Sequence, residues 1–199
     1  TPTSIYLANR GFKTSNIPLI NKNSLPKKIK DNPQLTCVVG LTTEPERLVE
    51  MMQFQKINPS LLDKIKVNRI TNTVEQLQSL SGAALENYSL LIIDNVTDLF
   101  SFEYSKKEQF FEKNVSFMKY MHNLSSIAIG VKIPIIVTNI VRSINKHEKE
   151  NLEESISMYI HTKIKLSKNG NGYLCQALSP FDNKQFQYTI TPKGLTDGS

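Results

Sequence analysis

The sequence has 199 residues, of which 39% are hydrophobic, 8% aromatic and 21% charged. That balance fits one folded domain with a proper core and excludes a disordered tail, a coiled coil or a collagen-like chain. No apolar run approaches the roughly 18 residues that a membrane-spanning helix needs, and no basic-then-apolar leader opens the chain, so a cytoplasmic protein without a membrane segment is expected. The net charge of +6 suits a polyanionic partner and equally suits a lysine-rich solvated surface. Cys37 and Cys175 lie inside apolar runs and read as buried free thiols. The three histidines, His122, His147 and His161, have no ligand spacing.

Thr1-Pro2-Thr3-Ser4, followed by the apolar stretch IYLAN, reads as the start of a helix that stops at Gly11. IPLI (17–20) is a short apolar segment, and the lysine-rich stretch after it reads as loop. LTCVVGLT (35–42) is a β-branched run that predicts a buried strand. Pro45 then suits the first turn of a helix through PERLVEMMQFQ, with Thr43 as a candidate cap. IKVNRI (65–70) predicts a strand, Thr73 to Leu85 a helix, and SLLIIDN (89–95) a buried strand. A long helix is expected from about Lys106 to Ile129, packing through Phe110, Phe111, Val115, Phe117, Met118, Met121 and Leu124. IPIIVTN (133–139) predicts another buried strand, and the polar stretch 142–155 an exposed loop. Three alternating stretches separated by turn signals close the chain as hairpins. Strands alternating with helices and then hairpins predict an open α/β sheet with an antiparallel extension.

In such sheets ligands gather beyond the carboxyl ends of the strands. LLIID (90–94) is an apolar strand ending in an acid, where an Asp can hold Mg²⁺ beside phosphates or merely cap a turn. IPIIVTN puts Thr138 and Asn139 at the end of another strand, where a polar pair can sense a phosphate or bond its own turn.

With PERLVEMMQF, LLIIDNVTDLFSFEYS, IPIIVTNIVRS, HTKIKLSK and FQYTITPKGLTD in this order, residues 46–197 resemble the ATPase core of RecA-superfamily recombinases of the archaeal RadA/RadB type. The resemblance implies a RecA-like P-loop NTPase core with a mostly parallel sheet and C-terminal antiparallel hairpins. It implies ATP and Mg²⁺ as cofactors, with Asp94 as metal ligand and catalytic residue, Asn139 as a catalytic sensor and Thr138 near the nucleotide. Lys106, Lys107, Arg142, Lys146 and Lys149 would contact single-stranded DNA, and the chain would join a homo-oligomer or a recombinase partner. The implied function is ATP-dependent DNA binding in repair and recombination. Ile140 stands where that family has Gln, Asn95 where it has Ser, and Leu178-Ser179-Pro180 where it has Asp-Ser-Pro, as in a RadB-type paralogue. A P-loop needs G-x-x-x-x-G-K-[ST] to cradle phosphates. No such string occurs in the 199 residues, so the sheet is expected to lack its P-loop strand and hydrolysis to be impaired.

Residues 1–48 resemble a different family. TPTSIYLANRGFKTSNIPLI and CVVGLTTEPERL are similar to the bacterial pyruvate, phosphate dikinase/phosphoenolpyruvate synthase regulatory proteins. Those are bifunctional Ser/Thr kinases and phosphorylases. There the T-P-T-S-x-Y-L-A run directly follows the P-loop Gly and Lys, so the resemblance makes Thr1 the loop's nucleotide-binding Ser/Thr. The two resemblances meet at TEPERL (43–48), as a junction of two coding segments would. The organisation expected is therefore 1–48 of kinase/pyrophosphorylase type and 49–199 of recombinase type, folded together. The alternative function is regulation of pyruvate, phosphate dikinase or phosphoenolpyruvate synthase through phosphorylation of a threonine.

Overall fold

Short β-branched runs supply the centre of the sheet, and amphipathic helices cover it. The computed structural model describes residues 3–8, 36–39, 45–85, 88–144, 147–170, 172–179, 184–191 and 194–197. The strands are β1 (Thr3–Ala8), β2 (Thr36–Val39), β3 (Ile65–Asn68), β4 (Leu90–Ile93) and β5 (Ile135–Ile144), followed by β6 (His147–Glu150), β7 (Thr162–Asn169), β8 (Gly172–Ser179), β9 (Lys184–Thr191) and β10 (Gly194–Asp197). The helices are α1 (Pro45–Phe54), α2 (Thr73–Leu85), α3 (Asp98–Glu103), α4 (Phe110–Gly130) and α5 (Glu153–Ser157). One sheet runs in the order β10-β9-β8-β7-β1-β5-β4-β2-β3, with β6 paired to β5 off this path.

The strands expected at 35–42, 65–70, 89–95 and 133–139, the helix over Thr73–Leu85 and the closing hairpins are all present. The fold is mixed α/β, as nucleotide-binding α/β proteins are. The sheet is not mostly parallel. Among the described strands only β2–β3, β2–β4 and β4–β5 pair in parallel, while the other six pairings are antiparallel.

Four local expectations are corrected. Residues 3–8 form a strand rather than a helix, hydrogen-bonded on one side to β5 and on the other to β7. TSIYLA is too short to build a helical face, and its Ile and Tyr suit a two-sided strand position. The long helix begins at Phe110, preceded by the separate helix α3 and a 3-10 turn at Lys107–Gln109. Phe111 and Val115 are exposed because they lie off the stripe formed by Phe117, Tyr120, Met121, Leu124 and Ile127, and Phe110 is exposed because it starts the helix beyond the core's edge. Finally, 142–155 is not a loop: β5 continues to Ile144, β6 returns as a hairpin, and α5 follows. Polar strands of this kind are held by pairing rather than by an apolar face, which leaves little trace in the sequence. Thr43, Thr1, Lys146 and 17–20 lie outside the described residues.

The main core sits between the sheet and helices α2, α3 and α4. Leu91, Ile93, Phe100, Phe117, Tyr120 and Ile135 are its largest fully buried side chains together with Ile133 and Ile156. Phe100 meets Phe117 edge-on, with ring centroids 5.1 Å apart. The Glu103 carboxylate ties α3 to the start of α2, accepting from the Thr73 amide at 2.8 Å and from the Thr73 hydroxyl. No helix among the described residues is long and apolar enough to cross a membrane.

An ion cluster fixes the hairpin against β7. Lys163 Nζ lies 2.6 Å from Glu150 Oε1 and 2.8 Å from Glu153 Oε1. Burial alone would lower the Lys163 pKa, but hydrogen bonds and charge from Glu150 and Glu153 outweigh it and raise the ammonium above its ordinary value. A group raised on folding stabilises fully below its unfolded value and loses that contribution only as pH climbs through the folded one, so the cluster is complete at pH 7. Lys163→Met takes the cation away from the nearly buried Glu150 and is expected to cost about 2 kcal/mol. That is less than the ~3–5 kcal/mol of a fully buried pair, because Lys163 is partly solvated. Urea unfolding at pH 7 measures the loss.

Candidate functional site

The end of β4 and the middle of β5 meet at three short hydrogen bonds. Chain direction makes this possible: β4 and β5 are parallel, with Ile93 beside Val137, so the turn after β4 falls next to Thr138. The Asn95 amide donates to Thr138 Oγ1 at 2.7 Å, and Thr138 Oγ1 donates to Asp94 Oδ1 at 2.7 Å. The Val96 amide donates to the Thr138 carbonyl at 2.9 Å. Asn95 takes the left-handed conformation, φ 57°, which Asn tolerates better than most residues and which lets the chain turn back onto β5. Asp94, Asn95 and Thr138 are half-buried.

Asn139 belongs to a second set of bonds. Neighbours on a strand leave opposite faces, so Thr138 turns to Asp94 while Asn139 turns into the main core. Its side chain is 0% exposed. Its Oδ1 accepts from the Thr97 hydroxyl at 2.7 Å, and its Nδ2 donates to the Asn151 carbonyl at 2.9 Å. Asn151 Nδ2 donates to Ser101 Oγ, which in turn donates to the Thr97 carbonyl at 2.9 Å. Both ends of the Asn139 amide are thus held by the protein in a ring that joins the turn after β4, β5, α3 and the residue after β6. Sequence reasoning missed Thr97, Ser101 and Asn151. The one available signal is the polar Thr97 just before an apolar helix; Asn151 lies in a uniformly polar stretch that carries none.

The basic candidates are dispersed. Lys106 and Lys107 are exposed on the turn before α4. Arg142 and Lys149 are exposed and face each other across the β5–β6 hairpin, a like-charge pairing. Behind the site the Tyr120 hydroxyl and Gln76 Oε1 are buried and outside normal hydrogen-bond geometry. Burial pushes the Tyr120 phenol well above its usual range, against a weaker pull from Gln76.

Residues 1–98 match the family model described as Kinase/pyrophosphorylase. A protein of Pelagibacter ubique named as a pyruvate, phosphate dikinase regulatory protein is 71% identical over 51 residues, 26% of this chain and 19% of that protein. Its namesake in Erythrobacter litoralis is 57% identical over 53 residues, 26% of this chain and 18% of that protein. Another in Bartonella bacilliformis is 38% identical over 96 residues, 47% of this chain and 33% of that protein. The chain therefore spans a third or less of the length of these relatives.

These matches correct the assignment of 46–197 to a RadA/RadB-type recombinase core, together with its DNA-repair function and its single-stranded DNA partner. The family match runs through α1, β3, α2 and β4 as far as residue 98, across the first third of the stretch that the recombinase resemblance rests on. TEPERL is a string that both resemblances share, and an Asp that holds Mg²⁺ recurs among P-loop NTPases, so the resemblance is less specific than the order of its elements suggests. The partner that Lys106, Lys107, Arg142, Lys146 and Lys149 were expected to contact is withdrawn with it.

Proposed function

We propose that the chain is part of a bifunctional Ser/Thr kinase and phosphorylase that regulates pyruvate, phosphate dikinase by phosphorylating a threonine of that enzyme. The observation that carries this assignment is the kinase/pyrophosphorylase match over residues 1–98, which takes in Asp94. The fold supports it: Asp94 stands at the carboxyl end of a parallel pair of strands, where α/β proteins hold phosphates. Thr1 is the proposed contact from the phosphate-binding loop. A cytoplasmic location accompanies the assignment, since the buried free thiol of Cys175 suits a reducing compartment.

A divalent cation fits the residues present. Asp94 has one carboxylate oxygen engaged by Thr138, and the adjacent Asn95 Oδ1 is buried without a hydrogen-bond partner. An all-oxygen donor set suits Mg²⁺. Bound with a nucleotide, Mg²⁺ would neutralise phosphate charge. Asp94 would hold it, Asn95 would complete the donor set, and Asn139 would keep the turn that carries both in place.

Incubating pyruvate, phosphate dikinase with the whole enzyme of which this chain is proposed to be part, and with ATP or ADP, tests the proposal. Nucleotide-dependent loss of dikinase activity, reversed by inorganic phosphate, is the expected result. Dikinase activity that stays constant in every arm contradicts it.

A further inference from the structure

We infer that Thr138 is the positioning residue of this site, fixing Asp94 so that Oδ2 is the oxygen presented to the cation of a metal–nucleotide complex. The inference rests on the proposed role of Asp94 and extends it to a residue that makes no ligand contact itself. Hydrogen-bond chemistry sets the direction of the chain of bonds. A backbone amide can only donate, so the Asn95 N–H obliges Thr138 Oγ1 to accept. The hydroxyl proton is then committed to the remaining neighbour, Asp94 Oδ1, at 2.7 Å. An ionised carboxylate can only accept, so the two demands agree. Among the described residues Oδ2 of Asp94 takes no hydrogen bond, and it is the oxygen left for a ligand. The Val96 amide bond to the Thr138 carbonyl, at 2.9 Å, prevents the turn from sliding along β5.

Thr138→Val keeps the shape of the side chain and removes both bonds. The Asn95 amide loses its acceptor, and Asp94 is free to rotate. Thr138→Ser keeps the hydroxyl. Binding of Mn²⁺ in the presence of ADP, followed by the electron paramagnetic resonance signal of free Mn²⁺, reads the consequence without requiring turnover. Thr138→Val is expected to weaken Mn²⁺ binding about tenfold, the range seen when a partner that orients a metal ligand is removed. Thr138→Ser should stay within about twofold of the parent, and Asp94→Asn should abolish the bound signal. Should Thr138→Val fail to fold, Thr138→Ala carries the same expectation. A purely structural Thr138 would shift the melting temperature but leave the Mn²⁺ affinity of the folded protein alone. Parental Mn²⁺ binding in folded Thr138→Val, with binding lost in Asp94→Asn, overturns the positioning role alone. Parental binding in Asp94→Asn overturns the role of Asp94 and the inference with it.

Discussion

Asn139→Ala should destabilise the nucleotide-free protein by about 3 kcal/mol, because it strands two buried partners at once. The Thr97 hydroxyl loses its acceptor and the Asn151 carbonyl loses its donor, both at a side chain that is 0% exposed. Each orphaned group costs roughly 1–3 kcal/mol in desolvation that nothing repays. In a domain of this size the melting temperature should fall by about 6–12 °C. Asn139→Asp keeps the acceptor for Thr97 but cannot donate to Asn151, and it brings a charge into the core, so it should be no better tolerated. Thermal unfolding followed by circular dichroism separates this from a sensor role. A residue whose work is to meet a bound phosphate would leave the melting of the empty protein unchanged.

Asp94→Asn should do the reverse, sparing the fold and removing the activity. Asp94 is half-buried, and its one hydrogen bond among the described residues is accepted from Thr138. An amide oxygen can accept the same bond, so the turn keeps its geometry and the change in stability should be under about 1 kcal/mol. What disappears is the negative charge that the cation needs. Phosphoryl transfer depends almost wholly on placing charge around the moving group. Its rate onto the dikinase should therefore fall by about 10²-fold or more, as when a single stabilising group is removed elsewhere. Quantifying phosphothreonine over time for parent and variant, at matched folded concentration, checks this.

Burial decided which parts of the architecture were legible in the sequence. LLIID, IPIIVTN and TCVV are dense in β-branched residues, and their strands stand where those runs predict. The pairing of Asp94 with Thr138 was half-visible, since both follow apolar runs in the sequence, but only the parallel register of β4 on β5 brings them together. Residues 3–8 misled because a Pro near a short apolar run is also a helix-start signal, whereas the strand is fixed by β5 and β7 far along the chain. The β5–β6 hairpin misled for the opposite reason, having almost no apolar residues to mark it. The ring through Asn139, Thr97, Ser101 and Asn151 joins residues that only tertiary structure makes neighbours. Nothing in their spacing foretold it. The recombinase resemblance drew on these same strand ends, which explains how it could name a plausible site and the wrong partner.

Mass spectrometry of pyruvate, phosphate dikinase after exposure to nucleotide and to the whole enzyme of which this chain is proposed to be part is the most direct measurement of the proposed activity. A threonine phosphorylated by the parent enzyme, and left unmodified by its Asp94→Asn variant, is the predicted outcome. A dikinase that emerges unmodified from the parent reaction, or equally modified by both proteins, would contradict it.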